Sequence, residues 1–143
     1  MTEKTILLVE DNPDDEHLAV RALKRHNVIN DIIVARDGQA ALDHLLDENK
    51  PLPALVLLDL KLPKISGLEV LQRLRATDRT AILPVVILTT SKEDQDLLDG
   101  YRSGCNSYIR KPVNFAQFAE AMRQLEVYWL VINEGPPKNT KPR

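Results

Sequence analysis

The stretch "LVLLDLKLPKISGLEVL", residues 55–71, combines a strand, a turn and the start of a helix. Its first four residues are all apolar, which is typical of a parallel strand covered by helices on both faces. Ser66 and Glu69 then have the spacing of a capping box, which predicts that a helix begins there. The apolar stripe of that helix is Leu68, Leu71 and Leu74. This stretch therefore predicts a buried strand that leads directly into a helix.

The same alternation extends along the chain in both directions. Short runs rich in Val, Ile and Leu predict strands at residues 6–9, 32–35, 55–58, 85–88 and, more weakly, 108–109. Residues that can cap free N–H groups predict helix starts at Asn12, Asp37, Ser66, Ser91 and Asn114. Strands that alternate with helices indicate an α/β domain with helices on both faces of one parallel sheet. We expect a three-layer (βα)5 sandwich, with a doubly wound parallel five-stranded sheet of the flavodoxin-like type.

The first and fourth helices have apolar positions that predict their buried faces. In the first helix the predicted face is Leu18, Ala22 and Leu23. In the fourth helix Ser91 and Asp94 form a second predicted capping box. Gly104 is placed to end this helix in the left-handed conformation. The predicted buried face of the fourth helix is Leu97, Leu98 and Tyr101.

Composition excludes several classes of protein. The 143 residues are 28% charged and 43% hydrophobic, with a net charge of −2, which indicates a globular protein and argues against nucleic-acid binding. The longest apolar run, residues 127–132, is far shorter than the roughly 20 residues that cross a bilayer. Cys105 is the single cysteine and the chain starts without a signal-peptide pattern. We therefore expect a cytoplasmic protein with no membrane partner.

Polar residues follow the predicted strands where each strand ends. Glu10 and Asp11 follow the first strand, Asp59 the third, Thr89 the fourth and Lys111 the fifth. In parallel sheets ligands bind at this edge, so these side chains are expected to converge. Three crowded carboxylates repel one another unless a cation is present, and Mg²⁺ prefers such oxygens together with water and phosphate. The sequence thus predicts a Mg²⁺ site that also receives a phosphoryl group.

The same residues suit phosphoryl transfer. A carboxylate can act as a nucleophile toward phosphorus, and Asp59 is the candidate. The Lys111 ammonium group would neutralise phosphoryl oxygens, and the Thr89 hydroxyl would donate a hydrogen bond to one of them.

Four segments, "ILLVEDNPDD", "LVLLDLKLPKISGLEVL", "PVVILTTS" and "YIRKP", resemble in order and spacing the receiver domain of two-component response regulators. The resemblance covers residues 4 to 126. It implies a receiver domain over residues 1–126 and a C-terminal extension over residues 127–143. A response regulator of this single-domain type would accept a phosphoryl group from a histidine kinase and pass the signal on by protein contacts. It would take part in its own phosphorylation and dephosphorylation without being an enzyme.

The resemblance also implies roles for individual residues. It assigns Mg²⁺ binding to Glu10, Asp11, Asp59 and the backbone carbonyl of Lys61. Asp59 would be the phosphoacceptor, with Thr89 and Tyr108 as switch residues that reposition. Lys111 would contact the phosphoryl group and precede a cis Pro112 that aims it into the site. Thr90 departs from many family members, which have a smaller side chain beside the switch residue.

The last helix carries more apolar surface than one domain needs. A stripe at spacings of three and four, with further apolar residues around it, predicts a homodimer contact or a helix that folds back on its own domain. The run "VYWLVINEGPP" resembles the extension of response regulators that pair with bacterial phytochromes, which implies a light-sensing kinase as partner. The residues predicted for the dimer are Phe115, Phe118, Met122, Leu125, Tyr128, Trp129 and Ile132.

Two other functions stay open on the sequence. A Mg²⁺-dependent phosphohydrolase with an aspartyl nucleophile is disfavoured, because its usual second carboxylate two residues later is here Lys61. A constitutive interaction module that no longer uses phosphorylation would keep the same fold. Tyr108 could likewise serve only in strand packing.

Overall fold

The computed structural model describes residues 5–25, 31–114, 116–118 and 120. The strands in this part are β1 (Thr5–Val9), β2 (Asp31–Ala35), β3 (Leu55–Leu58), β4 (Val85–Thr89) and β5 (Ser107–Arg110). The helices are α1 (Pro13–Arg25), α2 (Gly38–Leu45), α3 (Gly67–Ala76) and α4 (Asp94–Arg102), with a 3-10 turn at Asp78–Thr80. Residues 116–118 are also helical. None of the helices in these ranges has the length and apolar character needed to cross a bilayer.

All five strands belong to one parallel sheet in the order β2-β1-β3-β4-β5. The order reverses between β1 and β3, because the chain first adds β2 on one side and then adds β3, β4 and β5 on the other. This is a doubly wound α/β sheet, and the predicted fold class is confirmed. Ligands of such sheets bind where the order reverses, at the carboxyl ends of β1 and β3.

Each face of the sheet is covered by its own layer of helices. Side chains alternate along a strand, so Leu7 and Val9 point to one face while Ile6 and Leu8 point to the other. The first face packs against α2 and α3, and the second against α1 and Phe118. All nine residues of β3 and β4 are buried, as continuous apolar strands predict. The three-layer arrangement is therefore confirmed.

Most of the predicted helix starts are confirmed by hydrogen bonds. The Asn12 side chain accepts from the Asp14 N–H at 2.8 Å, and Asp37 accepts from the Ala40 N–H at 2.7 Å. Ser66 accepts from the Glu69 N–H at 3.2 Å. The side chain of Asn114 accepts from the Gln117 N–H at 3.1 Å, which caps the last helix. Gly104 has a φ of 100°, so its predicted left-handed conformation after α4 is also confirmed.

The predicted start of the fourth helix is wrong. The helix begins at Asp94, three residues after the predicted cap, and Glu93 at its N-cap makes no side-chain capping bond. The Ser91 hydroxyl instead donates to Asp96 at 2.6 Å and accepts from the Glu93 N–H at 3.3 Å. Ser91 is therefore not the N-cap of α4, because its hydroxyl joins the Glu93 N–H in the preceding loop to the Asp96 carboxylate in the first turn of the helix.

Two predicted buried faces are also partly wrong. Leu18 of α1 is 60% exposed, and Ala19 takes its place in the core beside Leu23. In α4, Leu98 and Tyr101 are 43% and 50% exposed. The buried residue of α4 is Gly100, where a methyl group would lie 3.0 Å from Ile87 and 3.1 Å from the ring of Tyr108. Small residues at these positions bring the helix backbone close to the sheet, which turns the larger apolar residues outward.

Replacing Thr80 with valine is expected to lower the free energy of unfolding by about 1–2 kcal/mol, because a fully buried hydrogen bond is lost. Thr80 is inaccessible to solvent, and its hydroxyl donates to the Leu74 carbonyl at 2.6 Å. Urea denaturation monitored by circular dichroism measures the loss. Thr77→Val is the control, because the Thr77 hydroxyl makes a similar bond to the Arg73 carbonyl at an exposed position. Equal losses in the two variants would contradict the prediction.

Candidate functional site

Three carboxylates converge at the carboxyl ends of β1 and β3. Val9 and Leu58 are partners in the parallel ladder, so the residues that follow them lie side by side. Glu10, Asp11 and Asp59 each offer an oxygen, and these oxygens lie within 4.8 Å of one another. Glu10 is buried, Asp59 is half-buried and Asp11 is exposed. The sequence placed these three residues at one edge of the sheet, and the structure brings them together there.

Lys111 reaches this cluster from the end of β5, the strand at one edge of the sheet. Its backbone follows β5, and its N–H donates to the Thr89 carbonyl at 2.8 Å. The Lys111-Pro112 bond is cis, as the family resemblance implied. The ammonium nitrogen donates to Glu10 at 2.6 Å, to Asp15 at 2.9 Å and to Asp59 at 3.1 Å. One largely buried ammonium group thus joins carboxylates at the end of β1, in the first turn of α1 and at the end of β3.

The charges of the site do not balance. Glu10, Asp11, Asp15 and Asp59 provide four carboxylates, and Lys111 provides one ammonium group. Burial raises the pKa of Glu10 above its ordinary value, and the negative charge of Asp59 raises it further, although the hydrogen bond from Lys111 acts in the opposite direction. A further cation would relieve this repulsion. Carboxylate oxygens at this spacing suit a hard divalent cation such as Mg²⁺.

Lys111 remains charged in this environment. Burial alone would lower its pKa, but the hydrogen bonds to Glu10 and Asp15 and the charge of Asp59 raise the pKa above its ordinary value. The side chain is 13% exposed, so its charge is little screened by water. Lys111 is therefore a permanent cation beside Asp59 at neutral pH.

Asp15 is the site residue that sequence reasoning missed. It lies in the first turn of α1, where acidic residues commonly stabilise a helix N-terminus and need no other explanation. The available signal was its spacing of four residues from Asp11, directly after a strand end. That spacing was uninformative without the position of Lys111, which is 96 residues away in the chain.

Thr89 and Tyr108 lie on the neighbouring strands β4 and β5. Thr89 is completely buried, and its hydroxyl accepts from the Ser91 N–H at 3.2 Å. The Tyr108 ring packs against Gly100, and its buried hydroxyl makes no well-formed hydrogen bond within the described residues. Burial raises the pKa of Tyr108, and the charge of Asp96 raises it further. The structure thus joins Thr89 to the loop between β4 and α4 and places Tyr108 against α4 itself.

The loop between β3 and α3 holds Asp59 from the other side. The Lys61 N–H donates to the Asp59 side chain at 3.2 Å, and the Lys61 side chain is exposed. The Gly67 N–H donates to the Leu60 carbonyl at 2.8 Å and closes the loop. Metal binding by the Lys61 carbonyl stays a prediction. Thr90, the residue that departs from the family pattern, is exposed.

Phe118 is the one predicted dimer residue that the described part of the chain includes. It is 8% exposed and packs in the core on the α1 side of the sheet. This position agrees with a helix that covers its own sheet, and a contact with a second copy stays a prediction. The other predicted dimer residues lie outside the described residues, namely Phe115, Met122, Leu125, Tyr128, Trp129 and Ile132.

Comparison with known proteins identifies the family. A sequence model of the response regulator receiver domain matches residues 6–123. The chain belongs to the response regulator receiver family. The receiver match spans all five strands except the first residue of β1, and it includes the whole candidate site from Glu10 to Lys111.

Relatives of this receiver include a probable methanogenesis regulatory protein and two response regulators. The probable methanogenesis regulatory protein FilR2 of Methanothrix harundinacea is 44% identical over 92% of this chain and 86% of its own length. The response regulator Rcp1 of a Synechocystis strain is 38% identical over 89% of each chain. Its Mn²⁺-bound structure has a TM-score of 0.76 and covers 94% of this chain and 99% of Rcp1. The phosphorylated cyanobacterial phytochrome response regulator RcpA is 36% identical with a TM-score of 0.79, covering 95% of this receiver and all of RcpA.

Proposed function

We propose that this receiver accepts a phosphoryl group on Asp59 from a histidine kinase in a Mg²⁺-dependent reaction and relays the signal by protein contacts. The observation that carries the proposal is the convergence of Asp59 with Glu10, Asp11 and Lys111 at the point where the strand order reverses. Phosphorylation of the related protein RcpA supports the same chemistry. The chain acts as a phosphoacceptor that takes part in the reaction, and it is not a turnover enzyme.

The reaction forms one bond and breaks one. A carboxylate oxygen of Asp59 attacks the phosphorus atom and forms a mixed anhydride. The bond between phosphorus and the donor atom breaks, and its electron pair leaves with the donor. With a phosphohistidine donor the leaving atom is an imidazole nitrogen. Asp59 suits this step because its side chain, which is 12% exposed, is held in place at the end of a fully buried strand.

The other site residues stabilise the charge that develops on the phosphoryl oxygens. Lys111 donates to Asp59 and can donate to a phosphoryl oxygen attached to it. Glu10, Asp11 and Asp59 are the side chains that would hold Mg²⁺, with the Lys61 carbonyl as a further ligand. When bound, Mg²⁺ neutralises oxygen charge and orients the phosphoryl group. The Mn²⁺-bound structure of Rcp1 supports a divalent cation in this family.

The phosphoryl group changes the receiver through Thr89 and Tyr108. A phosphoryl oxygen recruits the Thr89 hydroxyl, which then gives up its contact with the Ser91 N–H. Ser91 also bonds to Asp96, so this loss loosens the start of α4. Tyr108 packs beneath α4 against Gly100, and it changes position with the loop. The outward surface of α4 and β5 therefore reports the state of Asp59.

The proposed partners follow from the relatives and from composition. We assign a phytochrome-type histidine kinase as the upstream partner, since RcpA is a phytochrome response regulator. FilR2 is named as a regulator of methanogenesis and is 44% identical, compared with 36% for RcpA, so the cognate sensor has to be tested directly. We further propose that the protein forms a homodimer in the cytoplasm. Its downstream target is a protein, and it does not bind nucleic acid. The net charge of −2 supports the exclusion of nucleic acid.

The proposed function predicts a gain of one phosphoryl group, detected by intact mass after incubation with Mg²⁺ and acetyl phosphate. Wild type is expected to gain it, whereas Asp59→Asn and wild type in EDTA are expected to gain none. Sedimentation of the same samples measures whether phosphorylation changes the oligomeric state. Modification of Asp59→Asn, or no gain in wild type with any donor or with a phosphorylated phytochrome kinase, would overturn the proposal.

A further inference from the structure

Asp15 shares the Lys111 ammonium group with the two carboxylates of the proposed reaction site. The nitrogen lies 2.6 Å from Glu10, 2.9 Å from Asp15 and 3.1 Å from Asp59. An ammonium group has three N–H donors, so these three acceptors use all of them. A phosphoryl oxygen can therefore bind Lys111 only if an existing hydrogen bond is weakened or lost.

Burial decides which carboxylate can release Lys111. The Glu10 side chain is 5% exposed, so separation from the ammonium group would leave a buried carboxylate without its cation. The Asp15 side chain is 36% exposed, and water can replace Lys111 there. Asp59 itself carries the phosphoryl group in the proposed product. Asp15 is thus the partner that Lys111 can leave at the lowest cost.

Asp15 also lies close to the charge that phosphorylation adds. Its oxygen and that of Asp59 bind the same nitrogen, so they lie within two hydrogen-bond lengths of each other. A phosphoryl group carries a charge of about −1.5 to −2 at neutral pH. The Asp15 carboxylate repels that charge and competes with it for Lys111. The same carboxylate attracts a divalent cation bound by its neighbours.

We propose that Asp15 is a positioning residue that restrains Lys111 in the unphosphorylated receiver and disfavours the phosphorylated form, while it strengthens the binding of the divalent cation. The inference rests on the proposed function of Asp59 as the phosphoacceptor. Asp15 touches neither the phosphorus atom nor the donor. It acts through the position and the free charge of Lys111.

The test compares Asp15→Asn with Asp14→Asn in the 143-residue chain. Both variants remove one negative charge from the first turn of α1. Asp14 is exposed, and within the described residues no hydrogen bond or ion pair joins its carboxylate to Lys111. Two quantities are measured: the affinity for Mg²⁺ alone, by calorimetry, and the rate of phosphorylation by acetyl phosphate at saturating Mg²⁺, by intact mass.

The two measurements are expected to move in opposite directions in Asp15→Asn. Its affinity for Mg²⁺ falls and its phosphorylation rate rises, each by roughly threefold to tenfold, because a screened charge is removed from the site. Asp14→Asn stays within about twofold of wild type in both, as expected for an exposed charge. A purely structural role for Asp15 would lower both quantities together.

The possible failures are distinguishable. If wild type is phosphorylated and Asp15→Asn matches Asp14→Asn in both measurements, the role of Asp15 is wrong and the proposed function stands. Slower phosphorylation of Asp15→Asn would also overturn the inference. If wild type gains no phosphoryl group, the proposed function fails and the inference fails with it.

Discussion

Replacing Lys111 with methionine is expected to abolish phosphorylation and, in Mg²⁺-free buffer, to destabilise the protein by about 3 kcal/mol at pH 8. Methionine keeps the length of the side chain and removes the cation that joins Glu10, Asp15 and Asp59. Four carboxylates then remain without an ammonium group, and the most buried of them, Glu10, bears the largest cost. Loss of phosphorylation follows because the ammonium group that would stabilise the phosphoryl oxygens is removed.

The stability deficit of Lys111→Met should depend on pH with a definite sign. The pKa of Glu10 is already raised above 4.5 in wild type, and removal of the Lys111 hydrogen bond raises it further. An acid with a raised pKa in the folded state costs stability when it is ionised, and the cost disappears as pH falls and the acid is protonated. The difference in unfolding free energy between wild type and Lys111→Met should therefore be full at pH 8 and shrink toward pH 5.

Urea denaturation of both proteins across this pH range measures the difference. Addition of Mg²⁺ at pH 8 should recover part of the deficit, since a bound divalent cation neutralises the same carboxylates. Lys92→Met is the control, because Lys92 is exposed in the loop before α4 and should stay within about 0.5 kcal/mol of wild type. A Lys111→Met deficit that is unchanged or larger at pH 5 would contradict the role of Glu10.

Replacing Gly67 with alanine is expected to destabilise the protein by about 3 kcal/mol or more, because the first turn of α3 lies directly against the end of β3. A methyl group at Gly67 would lie 2.1 Å from the Asp59 carbonyl oxygen and 2.7 Å from the Leu60 Cα. Both atoms belong to the backbone and cannot rotate away. Either α3 moves outward from its core contacts or the backbone that carries Asp59 is displaced.

The same variant should lose phosphorylation, because displacement of a reacting group by about 1 Å can cost a hundredfold in rate. Denaturation midpoints and the rate with acetyl phosphate measure the two effects separately. Gly100→Ala is the stability control, because the added methyl meets side chains of Ile87 and Tyr108 at 3.0 and 3.1 Å. It should stay within about 1 kcal/mol of wild type, since the gain in helix propensity offsets part of the contact. Equal destabilisation of both variants would argue against the contact with Asp59.

Much of the site could be predicted because parallel strands impose a common direction. Glu10, Asp59 and Lys111 each follow a strand, and strands of one parallel sheet end at the same edge. Helix starts at Asn12, Asp37 and Ser66 were predictable for a similar reason, since caps depend on contacts within four residues. Information of this kind is local or follows directly from the topology.

The errors came from a different source. Periodicity shows which residues share one face of a helix, but the distance between helix and sheet decides which of them are buried. Gly100 and Ala19 allow close approach, so Leu98 and Leu18 remain exposed although they fit the apolar pattern. The Ser91 prediction failed because a hydroxyl that fits the cap pattern donates instead to the Asp96 carboxylate, in the first turn of a helix that begins later than predicted.

The sequence by itself determined the α/β class, the five parallel strands and the edge at which the acidic residues meet, because apolar runs and strand ends are properties of short segments. Only the tertiary structure decided that Lys111 binds Glu10, Asp15 and Asp59 at once. Asp15 and Lys111 are 96 residues apart, and their contact depends on the order of the strands and on the angle at which α1 leaves β1. Such a contact belongs to the packing of the whole domain and is not encoded in any one segment.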